Sequence, residues 1–468
     1  MADNNIVESK GIYLPQDFSL NSLNFLTASG QKIELKKLMV EMSFYEDIYN
    51  FVVSGHITLL DSQGFNELLT ITGNEFIEVN FSKTPDAVNG VDRIFRIYKA
   101  GPRVPTGNLN TEVYSLYFCS EELLLSEQSK VGKSYKGKKI SEIVNNILTD
   151  DDVTGKLRVN KSKRVEKIEE TMGVYDFIVP KIKPFEAISW LSNYARPMVL
   201  GPTGGADMLF FETKNGFNFR SLQSMYSDDV YATYKYQAEN VNKNIEDMNQ
   251  KMINVLDYQI TKPYDILSQI NSGAFANRII TLDPITRKKI VKDFSYTKYK
   301  GDSSTKELNS GSVSNELTNR TGLTQATSPE SVLKVAFGNS NQTKVPYIKQ
   351  QTVKGGIAKD IFIEDYVPNR TAQISLANHT TIKATIPGDP GITAGRTINF
   401  NLLTLKPDSQ KRDLDKFYSG KYLVSAVRHI ISSSGYYQTV LELTRDSSKT
   451  EYPAIDSNST EWKKAINS

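Results

Sequence analysis

Val53-Ser-Gly-His-Ile-Thr-Leu-Leu-Asp61 and, after a short break, Gly73-Asn-Glu-Phe-Ile-Glu-Val-Asn-Phe81 are the stretches that decide the fold class. In the first, Val53, Gly55, Ile57 and Leu59 fall on one face and Ser54, His56 and Thr58 on the other, the period-two alternation of a half-buried antiparallel strand. Asp61-Ser-Gln-Gly64 is turn chemistry, and the second stretch alternates again, with Ile77, Val79 and Phe81 opposite Phe76, Glu78 and Asn80. Neither strand carries a group that needs a substrate, so this part of the chain reads as barrel or sandwich scaffold.

Strand signals spread outward from this pair. Ile33/Leu35, Phe95/Ile97 and Tyr114/Leu116/Phe118, with turns at 86–90 and at Gly101-Pro-Arg-Val-Pro-Thr-Gly107, predict a first antiparallel barrel over residues 1–125. The period then becomes helical at Ile140, Ile143, Val144, Ile147 and Leu148, and a second helix opens at Pro184 with Phe185, Ile188, Leu191, Tyr194 and Ala195. Residues 126–205 therefore read as an α/β insertion. Met208–Phe211 and Phe217–Phe219 flank Asn215-Gly216, a tight hairpin signal. With Val255–Ile260 and Arg278–Leu282 they make 206–300 a run of strands and connections shared between the insertion and a second barrel. The Ser/Asn-rich segment 301–345 predicts a loop or linker outside the barrel cores. Thr381–Gly388, Thr397–Phe400, Lys421–Val427 and Tyr437–Leu443 predict a second barrel over 346–455, followed by a C-terminal tail at 456–468. The expected fold class is mainly β with an α/β insertion and two antiparallel β-barrel domains, as if one barrel unit had been duplicated.

Composition narrows the function. At 468 residues and 39% hydrophobic content the chain can build several cores. Fifty-six basic against fifty-three acidic residues leave +3, without the excess that a phosphate backbone demands, so no sequence-specific nucleic-acid binding is expected. Cys119, the one cysteine, lies in the alternating run Val113–Cys119; it excludes an intrachain disulfide and fits a reducing compartment. Met1–Lys10 lacks a basic start followed by an apolar run, and no stretch approaches ~18 apolar residues, so neither a secretory signal nor stable membrane insertion is expected. Twenty-four Tyr and twenty-one Phe against three His suit strand faces and interfaces better than acid–base or metal chemistry.

The motifs that suggest chemistry are incomplete. Val131-Gly-Lys-Ser134 imitates the end of a P-loop, yet Glu127 stands where the first glycine of the phosphate cradle belongs. Lys130, Lys133, Lys136, Lys138, Lys139, Lys156, Arg158, Lys161, Lys163 and Arg164 make the insertion basic; Glu166, Glu169 and Glu170 follow, which favours a solvated surface over a docking face for an acidic partner. Gly201-Pro-Thr-Gly-Gly205 lacks dinucleotide-binding spacing. His56, His379 and His429 have no ligand spacing and no cysteine pair beside them. Asn319, Asn341, Asn378 and Asn458 open glycosylation matches that mean nothing without secretion. A carboxylate pair is defined by distance in space and cannot be located in sequence. No catalytic residue, cofactor or metal is therefore expected. Pro387-Gly-Asp-Pro-Gly391 predicts a sharp reversal with glycine at positive φ, so Gly388, Asp389, Pro390, Gly391 and Gly395 are expected as structural turn positions.

Taken in order, Ile48–Asp61, Gly73-Asn-Glu75, Gly137–Leu148, Pro184–Leu191 and Ile386–Ile392 with Gly395 resemble the baseplate hub protein of contractile-tailed bacteriophages. The resemblance implies two tail-tube-like antiparallel β-barrel domains and a homotrimer whose barrels make a pseudo-sixfold ring between a central spike and the tail tube. It further implies a structural, non-enzymatic role, with the spike, the tail-tube protein and other baseplate (wedge) proteins as partners. Location in the virion tail baseplate after assembly in the host cytoplasm is implied as well. A hub or spike subunit of a type VI secretion or tailocin machine is the nearest alternative; a tail-associated peptidoglycan hydrolase and a carbohydrate-binding adhesin stand further off. The segment at 301–345 and the chain after about 446 depart from shorter members of that family.

Overall fold

A computed structural model describes residues 18–65, 71–83, 89–107, 111–150, 164–198, 205–236, 251–282, 289–296, 307–309, 333–337, 348–351, 363–404 and 413–450. The first strands are β1 (Ser19–Leu26), β2 (Lys32–Glu34), β3 (Met39–Asp47), β4 (Ser54–Asp61), β5 (Phe76–Ser82), β6 (Val91–Ala100), β7 (Val104–Pro105) and β8 (Glu112–Cys119). They pair antiparallel in the order β2-β1-β5-β6-β8-β4-β3, with the short β7 also on β8. The alternation in the sequence sets which side is inside: Gly55, Ile57 and Leu59 are buried while Ser54, His56 and Thr58 are half-exposed, and Ile77, Val79 and Phe81 are buried opposite Phe76, Glu78 and Asn80. The core they enclose is aromatic, with the Phe95 ring 5.6 Å from that of Phe44 and 5.1 Å from that of Phe118.

The insertion follows as the helical period requires. Helices Glu121–Gln128, Ile140–Thr149 and Pro184–Ser192 cover two small sheets built from β9 (Ser134–Lys138), β10 (Val165–Ile168), β11 (Val174–Ile178), β12 (Met208–Thr213) and β13 (Gly216–Ser221). Ile140, Ile143, Val144, Ile147 and Leu148 are all buried on one helix face. Pro184 sits at the start of its helix, where a missing N–H costs nothing.

The later strands are β14 (Val230–Tyr236), β15 (Asn254–Val255), β16 (Asp257–Lys262), β17 (Ala276–Leu282), β18 (Lys289–Ser295), β19 (Leu333–Phe337), β20 (Ile348–Gln351), β21 (Thr380–Pro387), β22 (Thr397–Leu402), β23 (Gly420–Ser432) and β24 (Tyr437–Arg445). The second barrel runs β14-β22-β23-β24-β21-β16 and closes on itself, because β15 pairs with β14 and its continuation β16 pairs with β21. β14 lies parallel to both β15 and β22; the other pairs of this barrel are antiparallel. β17, β18 and β19 form a separate sheet packed on helix Ile363–Ala377, whose Ala372 and Leu376 meet Phe275, Phe294 and Tyr296. β20 joins β11 of the insertion.

β23 makes one body of the two barrels. Gly420–Leu423 pair with β22, Ala426–Ser432 pair with β3 of the first barrel, and β24 lies along the opposite edge. Ile431 and Tyr437 of the second barrel are buried in the first barrel's core. Within 301–345 the described pieces are not a free loop: Leu308 is buried in the second core, the Asn309 amide donates to the Lys421 and Ser447 carbonyls, and β19 pairs in parallel with β17. The rest of that segment and the 456–468 tail lie outside the described residues. No helix among the described residues is long and apolar enough to cross a membrane.

Candidate functional site

β12 and β13 form the hairpin that Asn215-Gly216 predicts, in register from Met208↔Ser221 to Thr213↔Gly216. Its tip, residues 212–216, is wedged where the insertion and both barrels meet. Glu212 has no solvent exposure, and its carboxylate accepts the Val53 N–H at 3.0 Å, the Ser120 hydroxyl at 2.5 Å and the Arg93 guanidinium at 2.5 Å. Arg93, on β6, also donates to the carbonyls of Thr213 (3.3 Å) and Lys214 (3.1 Å). A buried ion pair is tolerable only when its remaining hydrogen-bonding positions are filled, and these largely are.

Glu46, on β3 and 1% exposed, accepts the backbone N–H of Lys214 at 2.7 Å and that of Ala394 at 2.9 Å. One carboxyl thus fastens the first barrel to the insertion and to the second barrel. Burial raises its pKa to about 7, against the lowering effect of the two backbone donors and the Lys214 ammonium. The Lys214 ammonium donates to the carbonyls of Asn89 (2.6 Å) and Pro390, and burial lowers its pKa.

The 388–395 turn completes the junction. Asp389 accepts the Tyr231 hydroxyl at 3.1 Å, the Tyr234 hydroxyl at 3.0 Å and the Gly391 N–H at 2.9 Å, while Lys83 donates to the Gly388 carbonyl at 2.9 Å. Gly395 has φ +84° and presses against Phe211, where a Cβ would lie 3.0 Å from the ring. Gly388 and Gly391 correct the expectation of positive φ: neither is in the left-handed region. Their constraint is contact, since a Cβ on Gly388 would fall 2.1 Å from the Tyr437 ring and one on Gly391 2.3 Å from the Tyr231 hydroxyl.

Beside the hairpin a cleft of about 340 Å³ is lined by Glu166, Arg220, Asp228, Tyr231 and Arg396 among others. Glu166 spends its carboxylate on Thr213, Asn215 and Asn218, Arg220 pairs with Asp228 at 2.7 Å, and Arg396 lies 4.8 Å over the Tyr231 ring. Chemically the junction fastens elements to one another: its charged groups are directed at backbone, at hydroxyl and amide side chains and at each other.

The other residues picked out in sequence are dispersed. The Tyr45 hydroxyl lies 3.3 Å from His56, His379 meets Gln269 at 2.6 Å, and His429 lies between Tyr437 (2.9 Å) and Thr439 (3.2 Å). Burial lowers the pKa of His379 to about 4 and of His429 to about 3. Among the described residues no group of His, Cys, Asp and Glu could hold a metal ion. Cys119 is buried, and desolvation pushes its thiol up to about 12. The P-loop imitation leads into β9: Val131 bridges to Ile182 and Lys133 pairs with Asp150 at 3.2 Å. Lys138 pairs with Glu142 at 3.5 Å, and Lys139 and Arg164 pair with Glu170 and Glu122, so four of the six described residues of that basic set, Lys133 included, have a carboxylate partner. Lys156, Arg158, Lys161, Lys163, Gly201, Asn319, Asn341 and Asn458 lie outside the described residues, whereas Gly205 is buried and Asn378 accepts the Tyr49 hydroxyl at 3.3 Å. Sequence reasoning passed over Glu46, Arg93, Glu212 and Lys214. The signal was present for two of them: Glu46 follows Met42 and Phe44, and Arg93 lies between Val91 and Phe95, each a charge on the inward face of an alternating strand.

No family model matches the chain, and neither does any curated protein. Among solved structures the fold is similar to a tail protein from Neisseria meningitidis MC58, at 10% identity and TM-score 0.47 over 93% of this chain and 100% of that one. It is also similar to the 43 kDa tail protein of prophage MuSo2 from Shewanella oneidensis, at 8% identity and TM-score 0.48 over 91% and 98%. An E. coli protein described as a component of the type VI secretion system is similar over 89% of this chain and 76% of its own, at 9% identity and TM-score 0.32.

Proposed function

We propose that this chain is a structural hub of a contractile phage-type tail, forming a trimeric ring in the virion baseplate that joins a central spike to the tail tube. The observation that carries the reading is the fusion of two barrels through β23, which serves both at once. A rigid double barrel repeated three times presents six similar barrels to a tube while keeping threefold symmetry for a spike. The ordered resemblance of Ile48–Asp61, Gly137–Leu148 and Ile386–Ile392 to baseplate hubs supports the same reading. The junction around Glu212 and Glu46 then has a mechanical role, because a hub that transmits force must not let its barrels shear apart. Turn positions Gly388, Asp389, Pro390, Gly391 and Gly395 belong to that fastening; spike, tube and wedge proteins are the partners, and no enzymatic step is assigned to the chain. Native mass measurement of the full chain, alone and with its spike partner, tests this, with negative-stain imaging of the product. A trimer, or a ring containing trimers, is expected. A monomer that persists at high concentration with the spike supplied refutes it, and clearing of a cell-wall zymogram by the isolated chain would transfer the assignment to a hydrolase.

A further inference from the structure

We propose that the three-way junction is a proton-operated latch, in which Glu46 holds the 212–216 hairpin tip and both barrels together more firmly in mild acid than in mild alkali. The geometry leaves Glu46 in an unusual position. Its carboxyl is the tie between the Lys214 and Ala394 backbones, which belong to two different units, and its own strand is part of a third. Among the described residues no cation pairs with it directly. The charged groups around it are the Lys214 ammonium on the hairpin and the Glu166 carboxylate on β10. Asp389 and Arg396 of the second barrel act on Lys214, and Arg93 of β6 is spent on Glu212 on the hairpin's other side. His429, on β23, is kept neutral by burial and contributes no charge.

The direction follows from comparing the closed junction with one opened far enough to hydrate Glu46. Closed, the carboxyl titrates near 7; opened to water it titrates near 4.5. The closed form therefore holds its proton over a pH range in which the open form has lost it, and lowering the pH through that range favours closure. The two values make closure about 30-fold more favourable at pH 5.5 than at pH 8. Two other buried acids provide internal controls, since Asp446 ties the Leu308 N–H and Asp207 the Gln223 N–H, both away from the hairpin tip.

The test is hydrogen exchange on the full chain, with protection factors corrected for intrinsic exchange rates, at the Lys214 and Ala394 amides between pH 8 and 5.5. Protection there should rise about 30-fold as the pH falls. In Glu46→Gln the protection should lose its pH dependence. A flat wild-type profile or an unchanged slope in Glu46→Gln overturns the latch. If Glu46→Gln does not fold, Asp207→Asn and Asp446→Asn decide the matter: the slope at Lys214 and Ala394 must survive in both, and its loss in either assigns the effect to another carboxyl.

Discussion

Replacing Arg93 by methionine withdraws the cation from beneath the hairpin while keeping much of the side chain's bulk over Phe95, whose ring lies 5.3 Å from the guanidinium. Four hydrogen bonds go with it: to Glu212 at 2.5 Å, Ser120 at 3.2 Å, the Lys214 carbonyl at 3.1 Å and the Thr213 carbonyl at 3.3 Å. Glu212 is left fully buried with only the Val53 N–H and the Ser120 hydroxyl to hold its charge. Breaking a buried pair from one side costs about 3–5 kcal/mol, and the two surviving donors place Arg93→Met at about 3 kcal/mol of destabilisation. Glu212→Leu should cost a similar amount, because it strands the guanidinium instead. The double variant removes both charges, so its cost should fall short of the sum of the singles by about 2 kcal/mol. Urea unfolding followed through Trp190, which packs 5.0 Å from Phe177 in the insertion core, reads all three variants. Single-variant costs that add to within about 0.5 kcal/mol would refute the claim that this pair acts as a unit.

Gly388→Ala should lower the melting temperature through the clash of its Cβ with the Tyr437 ring, at a cost of about 1–3 kcal/mol, and Gly388→Val should do so at least as strongly; an unchanged melting temperature for both removes the close-contact argument. Stability should rise as the pH is lowered from 8 to 6.5. Glu46, Asp207 and Asp446 are each raised to about 7 by burial, so the folded state gains protons that the unfolded state does not. Below 6.5 the gain should be opposed by His379 and His429, lowered to about 4 and about 3, because the unfolded chain then binds protons that the folded one refuses. A urea midpoint that falls between pH 8 and 6.5 contradicts this assignment. Cys119 should resist thiol reagents in the native protein at pH 8 and react on unfolding, since its thiol is buried and held up to about 12; rapid native labelling would show that the strand opens locally.

For the segments with a clear period the sequence alone determined strand or helix and which face is inside, whereas helices Glu121–Gln128 and Ile363–Ala377 and strand β19 were not marked. Ile57, Leu59, Ile77 and Val79, and the helix carrying Ile143 and Ile147, bury the sides their spacing marks, because amphipathic period depends only on local backbone geometry. It also marked the hairpin at Asn215-Gly216 and the turn at 388–391, though it attributed the turn's glycines to positive φ where the structure shows close contact with the Tyr437 ring and the Tyr231 hydroxyl. Only the tertiary structure decided that β23 serves both barrels, that β15 and β16 close the second, and that Leu308 belongs to a core. The junction was decided there too. Glu46 and Ala394 are 348 positions apart, and Arg93 and Glu212 are 119 apart. Nothing in a local pattern encodes such a pairing; what the chain shows locally is a charge on an inward strand face, and the partner that makes the charge tolerable exists only once the units have packed.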